Sequence, residues 1–347
     1  MKLYKLIIII LVVFLNTKTV LSEKNIFNVN NIELEKTNIS NTEAANKAIK
    51  KGFDELIERI LLSEDKNRLL KLEPAEIKEL VSYYQVISEN DSSGRENDKL
   101  KYNIFFDKNK FHKLFYKQGI FYSEITDKEL YFLPIIQKEE KIFIFNQNFF
   151  YENWKDIYKK DLIEFLLPLE SIEIIEKINF NKENLLMIEL NELFKEYTNK
   201  NLALLIIDTT NKNNKIYLKT DILGKKINKN ISIKNENLDE KKFYEKIIKN
   251  TSEEITNIIK SQNLVDVRTP SFLNTKFEIS RKNNLVELND RLKQVELIDS
   301  IYVQEFNSQY VFLKIKYLGK LDKIIKQLEN EKIILKLEGD QWSIKIL

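Results

Sequence analysis

An α+β fold is what the sequence predicts, as three small α/β units in series with the last of them ferredoxin-like. Three observations predict it. Apolar residues recur with a 3.6-residue period in two long stretches, near residues 42–61 and 239–261, while shorter stretches between and after them alternate with period two. The run LALLIID, residues 202–208, is apolar on both faces, as a central strand covered on both sides would be. With 43% hydrophobic and 11% aromatic residues, 347 residues suffice for two or three packed cores.

Ahead of the units, MKLYKLIIIILVVFLNTKTVLS has the layout of a secretory signal peptide. Lys2 and Lys5 form a positive start, Leu6 to Leu15 an unbroken apolar run, and Val20, Leu21 and Ser22 a small-residue exit, so residues 1–22 are expected to be removed between Ser22 and Glu23. A spanning helix needs about 20 apolar residues and this run is shorter. Export to the periplasm is therefore expected, with a tether at the inner membrane if the leader stays attached.

Residues 23–125 form the first expected unit. Thr42 is a good N-cap, and Ala45, Ala48, Ile49, Phe53, Leu56, Ile57 and Ile60 make one apolar stripe with Gly52 on it, where the missing side chain admits a close neighbour. A short helix opens at Pro74, a favoured first-turn residue. Val81 to Ile87 and Leu100 to Phe106 read as a hairpin joined by the polar loop ENDSSGREND, followed by a helix around Lys108 to Tyr116. In the second unit, residues 126–265, YFLPII and KIFIF are strands, FNQNFFYENW starts a helix, and ESIEIIEKINF leads to a helical stretch ending near Tyr197. LALLIID, KIYLKTDI and KNISI follow as strands before the helix from Asp239 to Ser261. VDVRTPSFLN reads as a linker. The third unit, residues 266–347, then runs strand (Lys276 to Ser280), helix, strand, strand, helix, strand, the ferredoxin-like order, with a terminal strand at Trp342 to Ile346.

Four stretches carry a family likeness: ANKAIKKGFDELIERIL with ELVSYYQVISE, KLKYNIFFDKNKFHKLFYKQGI, YFLPII with FNQNFFYENW, and YVFLKIKYLG to GDQWSIKI. In these the chain resembles an exported proteobacterial family known as a domain of unknown function, number twenty sixty-six. It departs from that pattern just before Trp154, where Phe149 and Phe150 stand in place of an additional tryptophan. The resemblance implies export and architecture, and no activity.

Charge and composition restrict the chemistry. The formal net charge is +3, and removal of the leader, with Lys2, Lys5 and Lys18, leaves 53 basic against 53 acidic residues. Nucleic-acid binding, which rests on basic surface that releases counterions, is not expected of so balanced a chain. The strongest basic run, Lys225 to Lys229, reads as a solvated strand edge or turn. The absence of cysteine removes disulfides, thiol nucleophiles and thiolate metal sites. The single histidine, His112, reads as a surface residue, since triads and histidine metal sites need partners that are missing.

Asp208 and Asp221 end two strands, where α/β folds place catalytic groups, but two of 53 acidic residues at strand ends is close to chance. The six glycines are isolated, so no phosphate loop is present. Tyr83-Tyr84, Phe149-Phe150-Tyr151, Trp154 and Trp342 read as core. No catalytic residue, cofactor or metal ligand is assigned. The function expected is that of a non-catalytic envelope accessory or assembly protein that binds envelope proteins. The alternatives are a carboxylate-dependent hydrolase of envelope polymers or glycans, and small-ligand binding between units.

Overall fold

The computed structural model describes residues 25–35, 40–87, 99–125, 128–158, 162–209, 215–234, 238–281 and 284–347. The leader, the Ser22–Glu23 junction and the whole loop ENDSSGREND lie outside these residues. The α+β class holds. The division differs: the chain forms two compact units, one made of the described residues up to Tyr122 together with Leu264–Leu347, the other of Ser123–Asn263.

The N-terminal part of the first unit opens with β1 (Asn28–Glu35), which the sequence reading missed. Only Val29 and Ile32 are buried there, and the bulge between them, with Asn31 at φ 60°, breaks the period-two signal. Helix α1 (Asn41–Ile60) is capped by Ser40 rather than Thr42: Ser40 Oγ accepts from Glu43 N at 3.2 Å, and the Glu43 carboxylate accepts from Ser40 N at 3.2 Å. After α2 (Ser63–Leu69) and α3 (Pro74–Glu79), β2 (Val81–Ile87) and β3 (Lys99–Phe106) pair antiparallel as expected. The sheet order is β1-β3-β2. A Cβ on Gly52 would stand 2.6 Å from Ile32 Cδ1 and 3.2 Å from Ile104 Cγ1, so α1 meets the sheet closely at this glycine. Gly52→Ala is expected to lower stability by about 1 kcal/mol in urea unfolding, overpacking outweighing the gain in helix propensity. Helix α4 (Lys108–Gln118) follows, then β4 (Tyr122–Ser123).

The second unit is built on β5 (Glu129–Lys138), β6 (Lys141–Phe143), β7 (Glu164–Leu166), β8 (Asn201–Asp208), β9 (Lys215–Ile222) and β10 (Lys225–Ile231), in the order β10-β9-β8-β5-β6 with β7 also on β5. The parallel pair β5 and β8 forms its centre. Ala203, Leu205 and Ile207 face one apolar layer, which includes residues of α5 (Phe149–Ile157) and of a long helix at residues 240–262. Leu202, Leu204 and Ile206 face another, which includes Ile174 and Ile178 of α6 (Ile172–Phe180) and Leu190 and Leu193 of α7 (Leu190–Leu193). The strand expected to be covered on both sides is so covered. The long helix, α8 (Glu240–Gln262), is capped by Asp239, which accepts from Lys242 N at 2.9 Å.

The chain then returns to the first unit. The stretch VDVRTPSFLN is no linker: β11 (Leu264–Val265) pairs with β4, and β12 (Ser271–Glu278) starts directly after Pro270. Helix α9 (Asn284–Leu292), β13 (Ile298–Phe306), β14 (Tyr310–Tyr317), α10 (Leu321–Asn330), β15 (Ile333–Glu338) and β16 (Gln341–Ile346) complete it. The chain order is that of a ferredoxin-like unit up to β15, but the topology departs from it. β16 lies between β12 and β15, parallel to β12, giving β13-β14-β12-β16-β15.

The expectation of three separate units, 23–125, 126–265 and 266–347, fails for the outer two because they share one apolar cluster. Phe27, Phe111, Phe115 and Tyr122 belong to the same cluster as Val265, Leu297, Leu318 and Ile344. Polar contacts reinforce it: Ile26 N donates to Glu296 Oε1 at 2.8 Å, and Lys108 Nζ donates to the carbonyls of Glu296 and Ile298. Among the described residues, no helix is long and apolar enough to cross a membrane.

Candidate functional site

The two carboxylates singled out from the sequence are not brought together. In the antiparallel ladder of β8 and β9, Asp221 stands opposite Leu202 and Asp208 opposite Lys215, so the two sit at opposite ends. Six residues of strand separate those positions, about 20 Å at ~3.4 Å per residue. Glycoside cleavage requires carboxylates within roughly 10 Å. This pair therefore supports no hydrolase.

His112 is not on the surface. It is 9% exposed on α4, with the rings of Phe27 and Tyr122 at 5.7 and 5.6 Å, and its Nε2 has no hydrogen-bond partner among the described residues. The sequence signal was ambiguous because His112 adjoins Phe111 on a helix whose buried face is wide enough to include both. Burial lowers its pKa to about 4, Lys108 and Lys316 push the same way, and Asp299 opposes them. Asp299 is itself paired with Lys316 at 2.9 Å. The imidazole is thus a neutral aromatic filler at neutral pH.

Its titration has a direction. The unfolded chain takes up this proton near pH 6.5, whereas the folded chain does so only near pH 4. Stability is undiminished above pH 6.5 and falls as pH drops from there towards 4, by up to about 3 kcal/mol. His112→Phe should flatten that part of the stability curve, as measured by urea unfolding at pH 4.5 and 7.5. No group of three His, Cys, Asp or Glu side chains arranged to hold a metal occurs among the described residues.

The basic run expected at a solvated edge is β10, an edge strand. Lys226 pairs with Glu189 at 2.7 Å and Lys229 pairs with Glu254. An open depression in the first unit has Leu72, Leu80 and Leu114 in its lining, with Glu76, Lys110 and Lys113 among its charged residues. The indole of Trp154 is buried as expected, and Trp342 packs half-buried on its core. Phe150 is also buried, but Tyr83 and Tyr84 are 53% and 45% exposed, against the expectation of core.

Four strongly exposed apolar groups lie in one segment of the second unit. Leu169 is 83% exposed, Ile172 74%, Phe180 89% and Met187 71%. Helix α6 explains part of this. At about 100° per residue, Ile174, Ile175 and Ile178 fall within roughly 100° of one another, leaving Phe180 on the opposite side and Ile172 beyond the edge of that stripe, about 60° past Ile175. A helix with apolar residues on both sides cannot bury them all against one sheet, and that two-sided pattern was the available sequence signal.

The backbone of the segment is nevertheless tied down. Tyr151 Oη donates to Pro168 O at 2.7 Å, and the buried Lys219 ammonium donates to Leu186 O at 3.0 Å and Ile188 O at 2.7 Å. A pinned backbone holding large apolar side chains in water is an arrangement suited to contact with another surface. Comparison of the chain with protein-family models, with curated proteins and with solved structures finds no match.

Proposed function

We propose that this chain is a non-catalytic accessory or assembly protein of the cell envelope, exported by residues 1–22, and that it works by binding other proteins. The observation that carries this reading is the segment from Leu169 to Met187. Its backbone is anchored by Tyr151 and Lys219 while Leu169, Ile172, Phe180 and Met187 stand in solvent. Burying each of these exposed groups against a partner would contribute on the order of 2 kcal/mol. The leader pattern and the resemblance to an exported family support the compartment.

The test is site-specific photo-crosslinking in living cells, with a photoreactive phenylalanine analogue at Phe180 and, as a control, at the buried Phe150. A discrete adduct to an envelope protein from Phe180 alone, lost on Ile172→Lys, is the expected result. Equal labelling from both positions would count against this reading. Recovery of the chain with its leader in the cytosolic fraction would dispose of the compartment.

A further inference from the structure

Among the described residues, the three-stranded sheet of the first unit ends on an open edge. β2 is the outer strand of the order β1-β3-β2, and no described strand pairs with its far side. Its sequence, Val81-Ser82-Tyr83-Tyr84-Gln85-Val86-Ile87, holds no charged residue and no proline. An open row of backbone donors and acceptors is a template for another strand, and folded proteins usually block it with charge, proline or a bulge.

The other long edge strands of this chain are blocked. β1 carries Glu33 and Glu35 and a bulge; β10 carries Lys225, Lys226 and Lys229; β13 carries Asp299 and Glu305 and two register shifts; β15 carries Lys336 and Glu338. β2 has one irregularity, between Val81 and Tyr83, and is regular beyond it.

The side chains of β2 are unfinished in the same sense. Tyr84 and Val86 stand opposite the buried Ile104 and Tyr102, yet they are 45% and 53% exposed. Helix α1 lies over β1 and β3 and leaves the outer strand less covered. On the other face Tyr83 stacks on Phe105 with centroids 4.3 Å apart and remains 53% exposed. A strand added beside β2 would give apolar neighbours to both faces.

We infer that the occupant of this edge is β2 of a second copy of the chain, joined antiparallel about a two-fold axis to give a six-stranded sheet. Charge permits this occupant in every register, because β2 carries none. Self-pairing of β10 or of β1 would bring like charges close, lysines in the first and carboxylates in the second, and like charges opposite one another destabilise a ladder. In β2 no register does so. The two-fold is also self-limiting: two open edges cover each other and none remains. This inference concerns the first unit and is independent of the segment around Phe180.

The chain as cells produce it is purified and its mass in solution followed by sedimentation from about 1 to 100 μM. A dimer is expected, with Gln85→Lys and Val86→Lys each weakening it at least tenfold. Val303→Lys, on the blocked edge β13, should leave it intact. Both β2 positions are exposed, so an unchanged circular dichroism spectrum separates lost association from lost folding.

The absence of native cysteine adds a direct readout. Single cysteines placed from Ser82 to Val86 should yield an interchain disulfide near the two-fold, and a cysteine at Val303 none. A monomer throughout the range overturns the inference, as does a dimer that survives both lysine variants. A monomer whose crosslink to an envelope protein disappears with Gln85→Lys would overturn it too, and would give the edge to a partner's strand.

Discussion

Trp154→Ala is expected to remove about 3–5 kcal/mol from the second unit, a large part of the 5–15 kcal/mol that holds a typical domain. The indole is fully buried on α5, with Phe132 at 4.2 Å and Phe165 at 5.4 Å between ring centroids. Alanine would leave a cavity in a layer whose other members are fixed by two strands, β5 and β7, and cannot easily collapse into it. Trp154→Phe should cost much less, about 1–2 kcal/mol. The indole N–H has no partner among the described residues, so the replacement loses volume and no hydrogen bond. Urea unfolding of the two variants, followed by circular dichroism, measures the difference. Similar losses for both would mean that the indole nitrogen matters after all.

Asn148 should show the second large effect, through polar rather than apolar contacts. Its side chain is wholly buried at the start of α5, where Oδ1 accepts from Phe150 N at 3.1 Å and Tyr151 N at 3.2 Å. Its Nδ2 donates to the carbonyls of Pro134, Phe143 and Ile144 at 2.8, 3.1 and 2.8 Å. One amide therefore caps a helix and closes the turn after β6. Asn148→Ala removes the cap, worth about 1 kcal/mol, and leaves buried carbonyls without donors, for a total of about 3–4 kcal/mol.

Asn148→Asp is the informative companion. It keeps the cap but sets a carboxylate against three carbonyl oxygens, so burial and repulsion should raise its pKa. That variant should then regain stability as pH falls and the acid becomes a donor, the reverse of the trend that His112 gives the native chain. If Asn148→Asp is as stable as the native chain at pH 7.5, the donor half of this argument fails.

Much of the fold was legible because its elements are local. The stripe of α1, the hairpin of β2 and β3, the doubly covered β8 and the starts of α3 and α8 each follow from a few neighbouring residues. The arrangement of those elements was not. Nothing local says that Phe27 and Leu297 share a core, because that contact is made across the entire second unit. The place of β16 was hidden for a similar reason: a terminal strand can join either edge of a sheet or slip between strands, and alternation alone does not choose. For the candidate surfaces the failure was different. Tyr83 and Tyr84 were assigned to a core because aromatic residues beside strands usually are, whereas exposure depends on which strand a helix covers. The exposed side of α6 was readable from its two-sided pattern; Lys219, which holds the following turn, was not.

The shared core of the outer segments has a consequence in time. A chain emerges from its amino end, so Phe27, Phe111 and Phe115 are made before the second unit and well before Leu297 and Ile344. At about 5–20 residues per second, the early half waits on the order of ten seconds for its counterpart. The inserted unit has apolar clusters of its own, complete before Leu264 is made. During that interval the greasy half-nucleus has no complement, and a holding chaperone would find its binding site there.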